Sequence, residues 1–110
     1  MDKGVLTFFC GKMGAGKTTK SREISQERNA VLLSEDEWLS SLYPNRIKTL
    51  ADYIEYSGLL KPQIKKLVQS ILSSGANVVM DFPANTIQQR EWFKAIFSEI
   101  QAAHELVYIV

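Results

Sequence analysis

The residues best equipped for chemistry lie near the N-terminus: Gly11, Lys12, Met13, Gly14, Ala15, Gly16, Lys17 and Thr18. They fit G-x-x-x-x-G-K-[ST] without a substitution. The chemistry is anion capture. Glycines let the backbone turn where a Cβ would block it, so successive N–H groups point at one phosphate. A helix opening near Gly16 brings its positive dipole end to the same spot, and Thr19 continues the run into that helix. Lys17 would reach the β/γ-phosphates of a nucleotide, and the Thr18 hydroxyl would ligate Mg²⁺. At ordinary residue usage the four fixed positions arise by chance in roughly one chain of this length in several hundred. The competing reading is a glycine-rich turn with an incidental lysine.

Two acidic positions could complete such a site. Asp81 ends the apolar run Val78-Val79-Met80, where its carboxylate would hold Mg²⁺ opposite Thr18. It could instead serve as a turn or N-cap residue ahead of Pro83. Asp36 follows another apolar run, and a carboxylate there could take the proton from a hydroxyl attacking a γ-phosphate. Glu35 is the main alternative for that base. A third reading has Glu35, Asp36 and Glu37 only favouring the first turn of a helix through its dipole.

The elements that must position these groups alternate. Val5 to Cys10 reads as a short buried strand and Thr19 to Arg28 as a helix. Ala30 to Leu33 is a second strand, and Ser34 to Glu37 has the form of a capping box. The helix through Trp38, Leu39 and Leu42 stops by Tyr43-Pro44. From Arg46 to Ser74 the pattern is helical, with a break expected at Gly58. Ile64, Leu67, Val68, Ile71 and Leu72 give an apolar stripe, closed by Gly75 at C′. Asn77 to Asp81 is a third strand. Thr86 with Gln89 opens a helix carrying Trp92, Phe93, Ile96, Phe97 and Ile100, and His104 to Val110 is a fourth strand. Such alternation argues for an α/β fold, a parallel sheet with right-handed crossovers and helices on both faces. Ligands in these sheets bind at the carboxyl ends of the strands, which puts Gly11 to Thr18, Ser34 to Asp36 and Asp81 to Asn85 on one rim.

Composition bounds the rest. The chain has 110 residues, enough for one small domain, and 45% of them are apolar. A net charge of +1 gives no bulk attraction to nucleic acid, so such a partner is unsupported by charge. The single cysteine, Cys10, excludes an intrachain disulfide and reads as a buried structural thiol. No stretch is long enough to cross a bilayer and no signal-peptide core follows Met1, so a cytoplasmic location without a membrane partner is expected.

With these residues on the page, the chain resembles the small P-loop kinases, in the branch of zeta toxins, chloramphenicol phosphotransferase and polynucleotide 5′-hydroxyl kinases. Three blocks carry the resemblance: Cys10 to Thr19, Leu32 to Leu39, and Asp81 to Asn85 followed by Arg90 and aromatic residues. The resemblance implies a three-layer P-loop NTPase fold with strand order 2-3-1-4-5, ATP and Mg²⁺ as cofactors, Asp36 as base, and Lys17 neutralising the transferring phosphates. It brings Arg90 in only weakly, since a surface helix arginine is an equal reading. Family members continue past the fourth strand into an arginine-bearing lid, a fifth strand and a base-contacting loop. Residues 1–110 are therefore expected to be the N-terminal part of a single kinase-like domain, with the fifth strand missing. An apolar edge beside strand four or strand one would then invite a homodimer.

Two functions follow. One is a phosphotransferase moving the γ-phosphate of ATP to a hydroxyl of a small molecule or a nucleic-acid end. The alternative is a nucleotide-binding regulatory or scaffold module without kinase activity, in which Asp36 only favours its helix. The acceptor would meet the segment from Trp38 to Lys66, where Tyr43, Arg46, Tyr53, Tyr56, Lys61, Lys65 and Lys66 suit base stacking or phosphate steering. The plainer reading of those residues is a solvated helical face with tyrosines partly in the core.

Overall fold

The computed structural model describes residues 2–11 and 17–109, and of Lys17 the backbone alone. The elements run β1 (Leu6–Gly11), α1 (Lys17–Glu27), β2 (Val31–Ser34), α2 (Glu35–Leu42), α3 (Leu50–Ser73), β3 (Val78–Asp81), α4 (Ile87–Glu99) and β4 (His104–Ile109). The four strands form one parallel sheet in the order β2-β3-β1-β4. That order assigns the helices to faces. From β1 the chain moves one way across the sheet to β2, then back through β3 to β4. Right-handed crossovers in opposite directions place their helices on opposite faces.

The core bears this out. On one face α1 packs Ile24 against Phe9 and Val79, with Leu32, Val107 and Ile109 around them. On the other, Leu39 of α2, the α3 stripe Leu60, Ile64, Val68 and Leu72, and Phe93 and Ile96 of α4 cover Leu6, Phe8, Leu33, Val78 and Met80. Phe8 and Phe93 stack with ring centroids 4.4 Å apart, which fixes α4 over β1. The buried Thr7 hydroxyl, on the α1 side, accepts a 2.9 Å hydrogen bond from Arg28, whose guanidinium also pairs with Glu105 of β4.

Local signals explain most boundaries. Thr86 caps α4 and forms the capping box with Gln89 that the sequence announces. Gly75, at φ +97°, closes α3 in a Schellman motif, its N–H bonded to Leu72 O and that of Ala76 to Ile71 O. Three expectations are corrected. First, α3 starts only at Leu50, behind a second capping box of Thr49 and Asp52, and Arg46 lies ahead of it. Second, α3 runs unbroken through Gly58 and Pro62. Mid-helix glycine and proline cost about 1 and 3 kcal/mol, but each large apolar side chain that α3 buries is worth about 2–5 kcal/mol. Burial on both sides of the two residues therefore wins. Third, Ser34 stands at the N-cap of α2 without a side-chain cap hydrogen bond, so the capping box read there is not formed.

The sheet also settles which strand lies at the edge. β1 is paired on both sides, so an open edge falls on β4 and not on β1. That edge is not a uniform apolar surface, because His104, Glu105 and Tyr108 are exposed.

The α3 stripe makes a measurable prediction. Ile64→Ala should cost about 2–5 kcal/mol in urea unfolding. Leu59→Ala, at a side chain 58% exposed, should stay within about 0.5 kcal/mol of the parent. Equal losses would mean that α3 presents a different face to the sheet.

Candidate functional site

The connection after β1 leaves toward β2 and the one after β3 leaves toward β4, although β1 and β3 are neighbours. Connections that part between adjacent strands open a crevice at their carboxyl ends. The ends of that crevice are Gly11 and Asp81. Asp81 shares a sheet face with Val79, the face that α1 covers, so its carboxylate meets the first turn of α1. There the Thr18 hydroxyl donates to Asp81 Oδ2 at 3.2 Å. The two sequence-predicted oxygen donors, 63 residues apart, are brought into contact. Asp81 is not a helix cap, since that place before α4 belongs to Thr86.

The second acidic pair divides cleanly. Glu35 is 3% exposed, and its carboxylate accepts from Tyr53 Oη at 2.6 Å and Ser57 Oγ at 2.9 Å. It fastens α2 to α3. Asp36, the next residue, is exposed in the first turn of α2. It lies two positions beyond Ser34, which pairs with Asp81 across β2 and β3. Of the two carboxylates that the sequence left open, Glu35 is occupied as a structural acceptor and Asp36 faces solvent on the rim.

The remaining candidates separate in the same way. Thr19 is exposed on α1. Arg90 donates through Nε to Ala84 O at 3.0 Å, and its Nη2 lies 3.9 Å from Cys10 Sγ, so it braces the loop after β3. Cys10 is half-buried rather than fully buried. Lys12, Met13, Gly14, Ala15, Gly16 and the Lys17 side chain lie outside the described residues. In the segment from Trp38 to Lys66, Tyr43 and Tyr56 pack their rings 4.5 Å apart against the core, and Lys61 sits over Trp92. Lys65 pairs with Glu99 at 2.7 Å. These partners match the plainer reading of that segment, with Arg46 and Lys66 exposed.

One residue at the rim escaped the residue-by-residue reading. The Asn85 carboxamide accepts from Gly11 N–H at 3.0 Å and donates to Gly11 O at 2.9 Å. Its position in the loop after Asp81 is legible in the sequence. Its partner, 74 residues away, is not.

The Glu35 contact has a consequence at high pH. Burial first, then the Glu35 carboxylate through hydrogen bond and charge, pushes the Tyr53 hydroxyl well above its ordinary value of 10.0. A raised folded-state value means that this stabilisation is complete below about pH 10 and is lost as pH rises further. In spectrophotometric titration Tyr53 should ionise only above the ordinary tyrosine value, and Glu35→Gln should bring it down. A Tyr53 that titrates normally would contradict the contact.

The sequence from residue 6 to residue 110 matches the family model described as an AAA domain. No curated protein matches the chain. Among solved structures, the Mycobacterium tuberculosis APS kinase CysC in complex with AMPPNP and APS is similar at a TM-score of 0.75 and 15% identity, covering 100% of this chain and 64% of that one. The Pnkp1/Rnl/Hen1 complex is similar at a TM-score of 0.73 and 14% identity, covering 100% of this chain and 36% of that one. A hexameric APS kinase from Thiobacillus denitrificans gives 0.64 and 14%, covering 97% and 22%. The chain thus spans less than two thirds of each of these three chains, and at such identities the likeness speaks for the fold. A parallel sheet in the order 2-3-1-4, helices on both faces and a G-x-x-x-x-G-K-[ST] loop after β1 are shared architecture of P-loop kinases. The chain belongs to the AAA domain family and has a P-loop kinase-like fold.

Proposed function

We propose that this protein binds ATP with Mg²⁺ and transfers the γ-phosphate to a hydroxyl of a small molecule or a nucleic-acid end. The observation that carries the reading is the Thr18–Asp81 hydrogen bond, at the helical end of an unsubstituted phosphate-loop sequence. A hydroxyl and a carboxylate in contact are hard oxygen donors. They suit Mg²⁺, which keeps several waters and takes few protein ligands beside substrate phosphates. Thr18 and Asp81 would hold the ion, and when bound it would neutralise charge on the phosphate oxygens.

The remaining roles fall to this chain's own groups. The backbone from Gly11 to Thr19 would cradle the phosphates, and the Lys17 ammonium would offset charge on the transferring group. Asp36 would accept the acceptor hydroxyl's proton as its oxygen bonds to the γ-phosphorus and the bond to the bridging oxygen breaks. The exposure of Asp36, beside a Glu35 that is already engaged, favours it as that base. The APS kinase solved with AMPPNP and APS lends support by its fold, and so does the Pnkp1/Rnl/Hen1 RNA repair complex. Among the described residues no helix is long and apolar enough to cross a membrane, in keeping with the cytoplasmic place we assign an ATP user.

Lys17→Ala should abolish ATP uptake in calorimetry with magnesium present. Asp81→Asn should raise the magnesium concentration needed for uptake. Asp36→Asn should leave nucleotide affinity within about twofold while transfer to a hydroxyl acceptor falls by about 10²–10⁴-fold, the usual contribution of a general base. Undiminished turnover in Asp36→Asn would remove Asp36 from the mechanism. ATP uptake without transfer to any pooled nucleoside, sugar or oligonucleotide end would favour the regulatory module instead.

A further inference from the structure

β1 is longer than the partner it has on one side. It pairs with β4 through six positions, Leu6 to Gly11, but with β3 only through Leu6, Thr7 and Phe8. β3 ends at Asp81, and among the described residues no strand pairs with the end of β1 on that flank. In a parallel ladder the N–H and C=O of a given residue point to the same side, and alternate residues point to alternate sides. Val5 shows the β3-facing parity, because its O accepts from Val78 N–H and its N–H donates to Asn77 Oδ1. Gly11, six residues on, has the same parity, so both of its polar groups face the flank that β3 vacates.

A side-chain carboxamide is chemically a peptide group, with one acceptor oxygen and an N–H₂ donor. Asn85 puts its carboxamide at that place and satisfies both Gly11 groups, at 3.0 and 2.9 Å. It is itself held firmly. Its backbone N–H donates to Gln89 Oε1 at 2.9 Å, within the capping box of α4, and the preceding Ala84 O accepts from Arg90. On its other side Gly11 meets the end of β4. A Cβ built on Gly11 would stand 2.5 Å from Ile109 O, at a φ of +153°. The loop after β3 therefore touches the described ends of the phosphate-loop sequence at two points, Asn85 on Gly11 and Asp81 on Thr18.

We propose that Asn85 is a positioning residue for the phosphate loop: its carboxamide replaces the missing ladder partner of Gly11 and so fixes how the chain leaves the sheet toward its phosphate ligand. This rests on the reading of Gly11 to Thr18 as a nucleotide phosphate site. Asn85 touches no reacting group. It sets where the first backbone amide of the loop stands, and an anion nest grips only when its amides converge.

Two variants and two readouts test it. Asn85→Ala removes both bonds. Asn85→Asp keeps the acceptor for Gly11 N–H but sets a second carboxylate oxygen against Gly11 O, with a negative charge near the phosphates. Asn85 also lies just ahead of the Thr86 N-cap, where an acidic residue favours the helix through its dipole. A residue that merely started α4 would therefore tolerate aspartate. The clamp gives the opposite ranking: ADP affinity by calorimetry should fall about 5–20-fold in Asn85→Ala and at least as far in Asn85→Asp, with the thermal midpoint of Asn85→Asp close to that of the parent. In the ligand-free protein, hydrogen exchange at the Gly11 amide should speed up in both variants. Parental ADP affinity in either variant, or unchanged Gly11 exchange in Asn85→Ala, would overturn the proposal. If the parent itself takes up no ADP, the phosphate-site reading fails. The Gly11 exchange rates then still decide the clamp.

Discussion

The contact of β1 with β3 is the constraint on which everything else depends. These strands are 67 residues apart at their ends, Gly11 and Val78, yet they lie side by side in register from Leu6 with Val78 to Phe8 with Met80. Their adjacency, with onward connections diverging, creates the crevice. It also sends the loop after Asp81 past the start of α1, where Thr18 waits. Phe8 and Met80 hold the pair from one face, and Phe9 and Val79 from the other. Disrupting that layer would separate the oxygen donors before any site residue was changed.

Polar groups are arranged around this layer so that each buried one has work in the architecture. Thr7 is satisfied by Arg28, Glu35 by Tyr53 and Ser57, and Val5 N–H by Asn77. A buried carboxylate without donors would be costly. Glu35 avoids that through two hydroxyls one helical turn apart on α3, which ties the first turn of α2 to the segment expected to meet an acceptor. The neighbouring Asp36 is exposed in the same helical turn. Of two adjacent carboxylates, one is buried in the fold and the other lies at the surface.

The loop after β3 is tied to the rest of the rim at several points. Asp81, Ala84 and Asn85 each meet a different partner, Thr18, Arg90 and Gly11, and the capping box of Thr86 and Gln89 anchors the loop to α4. α4 in turn is stacked on β1 through Phe93 and Phe8. The rim is thus supported by rigid elements, as a site that must hold donors within fractions of an ångström requires.

How much of this was written in the sequence depends on the distance over which each signal acts. The phosphate-loop residues, the apolar runs of the strands, the Thr86–Gln89 box and the Gly75 stop are local patterns, and they specified the elements and the alternating α/β class. Strand order came from likeness to known kinases rather than from spacing, because no short pattern says which strands pair. Gly58 was misread for a related reason: local propensity argues for a break, and only the burial of Leu60 to Leu72 against a sheet formed elsewhere overrides it. The choice between Glu35 and Asp36 could not be made from adjacent acidic letters, since Tyr53 and Ser57 reach Glu35 only after α3 has docked. Asn85 met Gly11 across 74 residues for the same cause. The chain alone thus determined which chemical groups are present and in which elements they sit. Tertiary packing decided which of them face one another, because hydrogen bonds and burial act through space, without regard to separation along the backbone.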